Sequence, residues 1–180
     1  MIYEILELYT EWQRRVIVNL QETGIDFLWL GDDIAFNAGP LFSPEVFRNI
    51  FLPYGRRVAE IIGVPWVFHS DGNLMPILED LLSLGMAGLH PIQPNAMDIE
   101  ALKRKYGERL CLWGNIDLEY TLTRGTPEEV KALVRRRIEI VGRGGGYILG
   151  SSNSITPYCK PENVLAMADA VRQYGWYNGS

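Results

Sequence analysis

The sequence has few of the residues that build cross-linked or metal-rich proteins. Only two cysteines and two histidines occur among its 180 residues. Cys111 and Cys159 are far apart and neither belongs to a CxxC pair. A disulfide framework, a zinc ribbon and a thioredoxin-type motif are therefore excluded.

Long apolar runs and basic segments are also absent. No stretch approaches about 20 consecutive apolar residues, so no membrane span is expected. Acidic residues interrupt the N-terminal segment and no small-residue cleavage site follows, which argues against a signal peptide. The net charge is −5, and the densest basic cluster, at 135–137, lies in a helical pattern with glutamates, so neither nucleic acid nor an anionic membrane is an expected partner. A cytoplasmic location is the expectation.

What the sequence does contain is a regular alternation of strands and helices. Residues 1–24 predict an N-terminal amphipathic helix, because apolar residues such as Ile5, Tyr9 and Trp12 recur at helical spacing. Residues 25–180 then form the predicted main domain. Its apolar runs predict five strands, each followed by a helix, at 25–30, 65–69, 87–92, 110–116 and 146–151.

Several local signals fix the predicted helix ends. Ser43 followed by Pro44 is typical of a helix N-terminus, and Pro53 predicts a kink within that helix. Thr126 and Glu129 predict a capping box. The segment 34–42, between the first strand and this second helix, is predicted to be a loop.

Apolar strands that alternate with helices predict a parallel sheet covered on both faces. An open doubly wound sheet and a (β/α)8 barrel both satisfy this pattern. The glycine-rich segment 142–146 precedes a strand and does not open a helix, so we expect a connector there and not a phosphate-binding loop. A complete barrel takes about 250 residues and eight strands, so only part of a barrel is present if that architecture applies.

Polar side chains follow all five predicted strands. In a βα-barrel the chemistry lies at these carboxyl ends of the strands. The residues in order are Asp32 and Asp33, then His69, Ser70 and Asp71, then Gln93 and Asn95, then Asn115 and Asp117, and finally Ser151, Ser152 and Asn153.

Within this set, the stretch FHSDGN at 68–73 is the most informative. Alternation along a strand places His69 and Asp71 on one face. Imidazole and carboxylate together can bind a divalent metal or act as a general base with its orienting partner. The alternative is that Asp71 and Gly72 make a turn and Asn73 caps the next helix.

The other candidates are two adjacent aspartates, the second histidine and the two cysteines. Asp32 and Asp33 are adjacent, so at most one of them should face the site. His90 lies inside a strand and is expected to be a packed core histidine. Cys111 is expected to be a small core residue, and Cys159, in a loop, is expected to be exposed.

These pieces together resemble a known family. The motifs are GDD at 31–33, SPEVFRNIFLPY at 43–54, FHSDGN at 68–73, LWGNID at 112–117, GTPEEV at 125–130, GGGYILG at 144–150 and PENVLAMADAV at 161–171. Their order resembles the C-terminal half of the uroporphyrinogen decarboxylase (URO-D) family, which includes the cobalamin-dependent methyltransferases. The resemblance implies a TIM-barrel type (β/α)8 fold, here a partial barrel of about five βα units.

The resemblance also marks where this chain departs from its relatives. The zinc methyltransferases of the family use a His-x-Cys pair and a late cysteine, whereas this chain has His69-x-Asp71 and, at the late position, Asn153. The late histidine of the true decarboxylases also aligns with Asn153. A sulfur-rich zinc site is therefore absent, and a site made of His69, Asp71 and Asp33 is left as the candidate, with Asp32, Gln93, Asn115, Ser151 and Asn153 as expected substrate-binding residues.

Three functions follow from the resemblance. The first is methyl transfer from a small methylated substrate to a corrinoid protein, with a divalent metal such as zinc at His69 and Asp71. The second is a uroporphyrinogen-type decarboxylase of porphyrin biosynthesis, which needs no cofactor. The third is a non-catalytic subunit of a split or truncated barrel, since a partial barrel leaves open sheet edges. A corrinoid protein, a complementary barrel half or a second copy of the chain are the expected partners.

Overall fold

A computed structural model describes residues 1–176 of the chain, so the last four residues of the predicted domain 25–180 lie outside the described part. The chain is built from parallel strands that alternate with helices, and the parallel sheet has five strands. This confirms the predicted strand–helix alternation and is consistent with a partial barrel. The sheet strands are β1 (Leu28–Gly31), β4 (Trp66–His69), β5 (Gly88–His90), β6 (Cys111–Ile116) and β7 (Tyr147–Ser151).

The helices alternate with these strands along the chain. They are α1 (Ile2–Glu22), α2 (Pro44–Val46), α3 (Leu52–Ala59), α4 (Leu78–Leu82), α5 (Ile99–Tyr106), α6 (Pro127–Ile140) and α7 (Pro161–Tyr174). A π-helical segment (Phe47–Phe51) joins α2 to α3, and a 3₁₀ segment (Met75–Ile77) precedes α4. Within the described residues, no helix is long and apolar enough to cross a membrane.

The chain divides into two compact units, unit 1 (Met1–Gly88) and unit 2 (Leu89–Ser180). The predicted boundary between an N-terminal helix at 1–24 and a main domain at 25–180 stays a prediction.

Unit 1 joins β1 and β4 as parallel neighbours. Leu28 lies opposite Trp66, and Gly31 lies opposite His69 at the carboxyl end of both strands. Helix α1 contacts α3, where Arg57 pairs with Glu7 and Glu11 of α1. The register brings the loops that follow β1 and β4 to the same edge of the sheet.

The apolar stripe of α1 does not face the core of unit 1, contrary to the usual expectation for an amphipathic helix. The side chains of Ile5, Leu8 and Trp12 are more than half exposed, while Thr10 and Ile17 are buried. Helical periodicity shows only that one face is apolar, and it does not show what covers that face.

The second helix is irregular at the predicted place. The Ser43 hydroxyl accepts a hydrogen bond from the Val46 N–H, as an N-cap does. The π-helical turn lies directly before α3, whose second residue is Pro53. Proline lacks an N–H donor and crowds the preceding turn, which accounts for a break in the helical ladder here.

The predicted loop at 34–42 is wrong in part, because it contains a short antiparallel hairpin. The hairpin strands are β2 (Ala35–Phe36) and β3 (Gly39–Pro40). Two residues, Asn37 and Ala38, connect them and do not carry the Asn-Gly or Asp-Gly signal that marks such turns. The Phe36 carbonyl accepts a hydrogen bond from the Asn73 N–H at 2.9 Å, so the hairpin supports the loop after β4.

Unit 2 joins β6 and β7 as parallel neighbours, with Asn115 opposite Gly150. Helices α6 and α7 pack together over an apolar core that includes Ile116, Leu122, Val130 and Ala170. The Thr126–Glu129 capping box is confirmed, since both of its hydrogen bonds are present.

The two cysteines of unit 2 do not lie as expected. Cys159 is buried in the apolar core and is not exposed, and the N–H of the next residue, Lys160, donates to the Leu122 carbonyl at 2.9 Å. Cys111 is the first residue of β6 and is half-buried. Hydropathy does not separate the end of a strand from its middle, which accounts for Cys111. It also does not show what covers a loop, which accounts for Cys159.

Candidate active site and metal-binding cluster

Three of the predicted site residues meet at one edge of unit 1. Asp33, His69 and Asp71 each offer one ligand atom, and these atoms lie within 4.8 Å of one another. The parallel pairing of β1 with β4 causes this meeting, because it aligns Gly31 with His69 and so brings the residues after both strands together. A Cβ added at Gly31 would lie 3.6 Å from His69 Cδ2, an ordinary contact distance, so the end of β1 packs directly beside the imidazole.

The contacts among these side chains are direct. His69 Nε2 lies 3.6 Å from Asp33 Oδ1. The same Asp33 oxygen accepts a hydrogen bond from the Asp71 N–H at 2.9 Å. The Asp33 side chain is 61% exposed while the imidazole is 20% exposed, so the cluster is open to solvent on the Asp33 side and closed on the His69 side.

Trp29 packs against the imidazole of the cluster while staying 53% exposed itself. Its ring meets the His69 ring edge-on, with centroids 5.5 Å apart and an interplanar angle of 88°. An edge-on aromatic contact restricts how the imidazole can rotate. In this orientation Nε2 faces the Asp33 carboxylate.

The donor set suits a divalent cation that accepts nitrogen and oxygen ligands. One imidazole and two carboxylates are borderline-to-hard ligands of the kind bound by zinc, manganese and iron(II). Three protein ligands with an open fourth position are typical of catalytic metal sites. Neither cysteine belongs to the cluster, so the thiolate chemistry of a sulfur-rich zinc site does not apply to these three residues.

Ser70 lies between His69 and Asp71, and the sequence placed it among the polar strand ends without giving it a role. Its side chain is fully buried. Its hydroxyl accepts the Ile34 N–H at 3.2 Å and donates to the Asp71 carbonyl at 2.8 Å. Ser70 thus ties the loop after β1 to the loop after β4. Strand alternation, which places Ser70 opposite His69, was the available signal.

Asp32 points to a different environment from Asp33. It lines an apolar cavity of about 350 Å³ in unit 1, although the residue as a whole stays exposed. Burial against the cavity raises the pKa of the Asp32 carboxyl, and the neighbouring Asp33 charge raises it further. Asp33 borders the same cavity, so the metal-ligand cluster and the cavity are adjacent.

The cavity wall is mostly aromatic and aliphatic. Its polar groups come from α1, the loop after β1 and α3, and it has few of them. The lining residues include Tyr9, Thr10, Gln13, Phe42, Phe47, Phe51, Tyr54 and Phe68. Phe68 alternates with His69 along β4, so the cavity lies on the opposite side of that strand from the imidazole.

The predicted site residues of unit 2 are amides and hydroxyls, most of which are used within the unit. Asn115 is 1% exposed, donates its side-chain N–H to the Ile92 carbonyl at 2.8 Å, and accepts from Arg137 Nε at 3.1 Å. The Ser151 hydroxyl donates to the Asn153 carbonyl at 2.7 Å. Asn153 is exposed and Gln93 is half-buried.

The other histidine is a core residue, as expected. His90 is 8% exposed. Its ring meets Trp113 edge-on with centroids 5.0 Å apart. It belongs to unit 2 and is not part of the cluster formed by Asp33, His69 and Asp71.

Parallel strands that alternate with helices, with polar side chains at the carboxyl ends of the strands, are features of the βα-barrel fold. The chain belongs to the uroporphyrinogen decarboxylase (URO-D) family, whose family model matches residues 1–174. This confirms the resemblance seen in the sequence.

Relatives in the family include two kinds of enzyme. The chain is 27% identical over 171 residues to the methylcobamide:CoM methyltransferase MtaA of Methanosarcina barkeri, covering 95% of this chain and 48% of that protein. It is 36% identical over 77 residues to the uroporphyrinogen decarboxylase of Methylococcus capsulatus, covering 43% of this chain and 21% of that protein. The chain thus spans about half the length of the methyltransferase, and neither identity separates the two activities.

A solved structure described as a methyltransferase from Methanosarcina mazei shares the fold with a TM-score of 0.75. It is 27% identical to this chain, and the match covers 93% of this chain and 48% of the other. A B12-independent methionine synthase from Shewanella sp. matches at 17% identity with a TM-score of 0.58, which shows the fold alone.

Proposed function

We propose that this chain takes part in methyl transfer between a small methylated substrate and a corrinoid carried by a partner protein, with Asp33, His69 and Asp71 binding a divalent metal. The observation that carries the proposal is the convergence of three ligand atoms within 4.8 Å at the end of two parallel strands. The likeness to methyltransferases over nearly the whole chain supports it.

The residues present fit a metal by their chemistry and position. His69 supplies an imidazole nitrogen, whose ring contacts Trp29 edge-on, and Asp33 supplies an oxygen oriented by the Asp71 N–H. Asp71 supplies the third ligand, at the position where the zinc relatives implied by the resemblance carry cysteine. When bound, such a cation polarises a substrate heteroatom as a Lewis acid.

The chain's own groups have distinct proposed tasks. The Asp33 carboxylate is the most exposed of the three side chains, so substrate would approach past it. His69 Nε2 lies 3.6 Å from Asp33 Oδ1, so the imidazole and the carboxylate face the same small space and can both contact a bound substrate or ion. The buried Ser70 hydroxyl keeps the two loops in register while the substrate exchanges.

Substrate binding is proposed for the more accessible polar residues at the strand ends. These are Asp32, Gln93, Ser151 and Asn153. Asn115 is buried and hydrogen bonded to Ile92 and Arg137, so we propose that it positions the end of β6 and does not itself bind substrate. The corrinoid protein, a complementary barrel half or a second copy of the chain remain the proposed partners.

Decarboxylation is the second candidate, supported by the segment 36% identical to a uroporphyrinogen decarboxylase. Two carboxylates beside an imidazole can move protons without any metal. The two proposals differ in one respect that can be measured, which is whether turnover needs a divalent cation.

The test uses the purified chain with methylcobalamin as methyl donor and coenzyme M as acceptor, the pair that the MtaA relative's name describes. We expect methylcobalamin absorbance to decrease in a metal-dependent reaction. The rate of this reaction should be at least about 100-fold lower in His69→Ala. The matched control is Asp26→Asn, an exposed carboxylate of the same unit outside the cluster, which should leave the rate unchanged. Porphyrinogen turnover unaffected by a chelator would instead support the decarboxylase, and turnover unchanged by His69→Ala would overturn the site.

A further inference from the structure

Unit 2 contains a second concave site, at the opposite end of its strands from the polar loops. A cavity of about 640 Å³ opens beside the first residue of β6 and the glycine-rich segment that precedes β7. Its wall is formed by Lys103, Arg104, Gly107, Glu108, Arg109, Leu110, Cys111, Arg143, Gly144 and Gly146. Four strand steps, or about 13 Å, separate Cys111 from Asn115 at the other end of β6.

The wall of this cavity is strongly basic. Lys103, Arg104, Arg109 and Arg143 supply four cations against the single carboxylate of Glu108. This concentration stands out in a chain whose net charge is −5. A concave surface lined by charge of one sign focuses its field on the space it encloses.

Two of the cations are not neutralised by the fold. Arg104 and Arg143 are exposed, and among the residues that the structure describes neither forms an ion pair or side-chain hydrogen bond. The other arginines nearby differ in this respect, because Arg136 and Arg137 both pair with Glu100. Arg104 and Arg143 therefore keep their guanidinium donors available for an anion.

The backbone of the glycine-rich segment keeps the cavity open. Gly144, Gly145 and Gly146 all have left-handed φ values, of 77°, 84° and 66°. No atom lies within 4 Å of where a Cβ would stand at Gly144 or Gly145. Lys103 Nζ donates to the Gly145 carbonyl at 2.5 Å, which fixes the segment to α5 and holds an ammonium group at the cavity wall.

We propose that this cavity binds the diphosphate group of a small molecule. Guanidinium forks match phosphate oxygens bidentately, and two available arginines with a lysine and a third arginine suit a compact group of several negative charges better than a single carboxylate. The concave shape and the absence of an aromatic lining residue favour a small anion over a protein surface. The site is separate from the metal-ligand cluster and does not depend on the proposed methyl transfer.

The experiment titrates the chain with inorganic pyrophosphate and follows heat release and the reaction of Cys111 with a thiol reagent. Cys111 lines the cavity and is half-exposed, whereas Cys159 is buried, and Cys111→Ser assigns the labelling signal. We expect saturable binding that slows Cys111 labelling at least about 5-fold and weakens as ionic strength rises. The double variant Arg104→Gln, Arg143→Gln should weaken binding at least about 10-fold.

The control is Arg56→Gln, an exposed arginine of unit 1 outside the cavity, which should bind pyrophosphate like the parent chain. ADP is titrated in parallel. Binding of ADP as tight as that of pyrophosphate supports a diphosphate carried on a larger molecule, and binding of pyrophosphate alone supports the free anion. No saturable binding up to about 10 mM, or equal weakening by Arg56→Gln and by the double variant, would overturn the proposal.

Discussion

Unit 1 and unit 2 use polar residues in opposite ways at the ends of their strands. In unit 1 an imidazole and two carboxylates converge with the exposed Asp33 on the solvent side. In unit 2 the amide of Asn115 is buried and bonded to Ile92 and Arg137. Polar strand ends therefore do not all serve chemistry, and the exposure of the side chain and its hydrogen-bond partners separate a candidate site from a structural network.

The largest expected effect on stability comes from a substitution in the loop after β4, which carries Asp71 of the unit 1 cluster. Gly72 has φ 84°, and a Cβ there would lie 2.5 Å from the backbone of Ala35 and Phe36 in the hairpin. We expect Gly72→Ala to lower the free energy of unfolding by about 3 kcal/mol, since left-handed strain adds to a backbone clash. Chemical denaturation followed by fluorescence measures this.

Gly85→Ala is the matched control for that variant. Gly85 has nearly the same φ, 82°, but no atom lies within 4 Å of its added Cβ. Its expected cost is about 1 kcal/mol. Equal losses in the two variants would mean that the hairpin does not pack closely on the loop after β4.

A smaller effect is expected from a buried amide of unit 2. Asn163 is fully buried and its side-chain N–H groups reach the carbonyls of Thr121, Leu122 and Gly125 at 3.0 to 3.2 Å. Asn163→Ala leaves these carbonyls without that donor, and we expect a loss of about 2 kcal/mol. Thermal or chemical denaturation measures it.

For comparison, Asn19→Ala removes an exposed amide from α1 and should change stability by less than about 0.5 kcal/mol. Should Asn163→Ala be as mild as Asn19→Ala, the idea that unit 2 uses its buried amides structurally would lose its support.

The smallest effect concerns the ion pairs of Glu100 in unit 2. The hydrogen bond from Arg136, with the charges of Arg136 and Arg137, lowers the pKa of the Glu100 carboxyl below 4.5. A depressed folded-state pKa stabilises the fold above the unfolded pKa, and this stabilisation is lost as the pH falls through the folded pKa. Glu100→Gln should lower the Tm by about 2 °C at pH 7, with the difference vanishing well below pH 4.5.

Melting curves between pH 7 and pH 3 measure the Tm difference between Glu100→Gln and the parent chain. The control is Glu60→Gln, which removes an exposed carboxylate of unit 1 that has no ion pair among the described residues. A Tm difference for Glu100→Gln that persists at the lowest pH would contradict an electrostatic origin.

Much of the fold could be predicted from the sequence, because strands buried on both faces and capped helices leave strong local signals. The five strands, the Ser43 cap and the Thr126 capping box are examples. The β2–β3 hairpin was not predictable, since its stability comes from contacts such as Phe36 with Asn73 and its turn carries no signal.

The candidate site was predictable only where local geometry sufficed. Strand alternation already placed His69 and Asp71 on one face, but the register of β1 on β4 decides that Asp33 joins them. Ser70 and the buried partners of Asn115 depend on contacts between distant parts of the sequence. The same limit applies to the exposed apolar stripe of α1, whose surroundings no periodicity reveals.

The most direct test of the unit 1 cluster is the affinity of the chain for zinc or cobalt, measured by competition with a chromogenic chelator. The account predicts one tightly bound ion per chain, an affinity at least about 100-fold weaker in Asp71→Asn, and parent-like binding in Asp26→Asn. A chain that binds no stoichiometric ion, or an Asp71→Asn variant that binds as tightly as the parent, would contradict it.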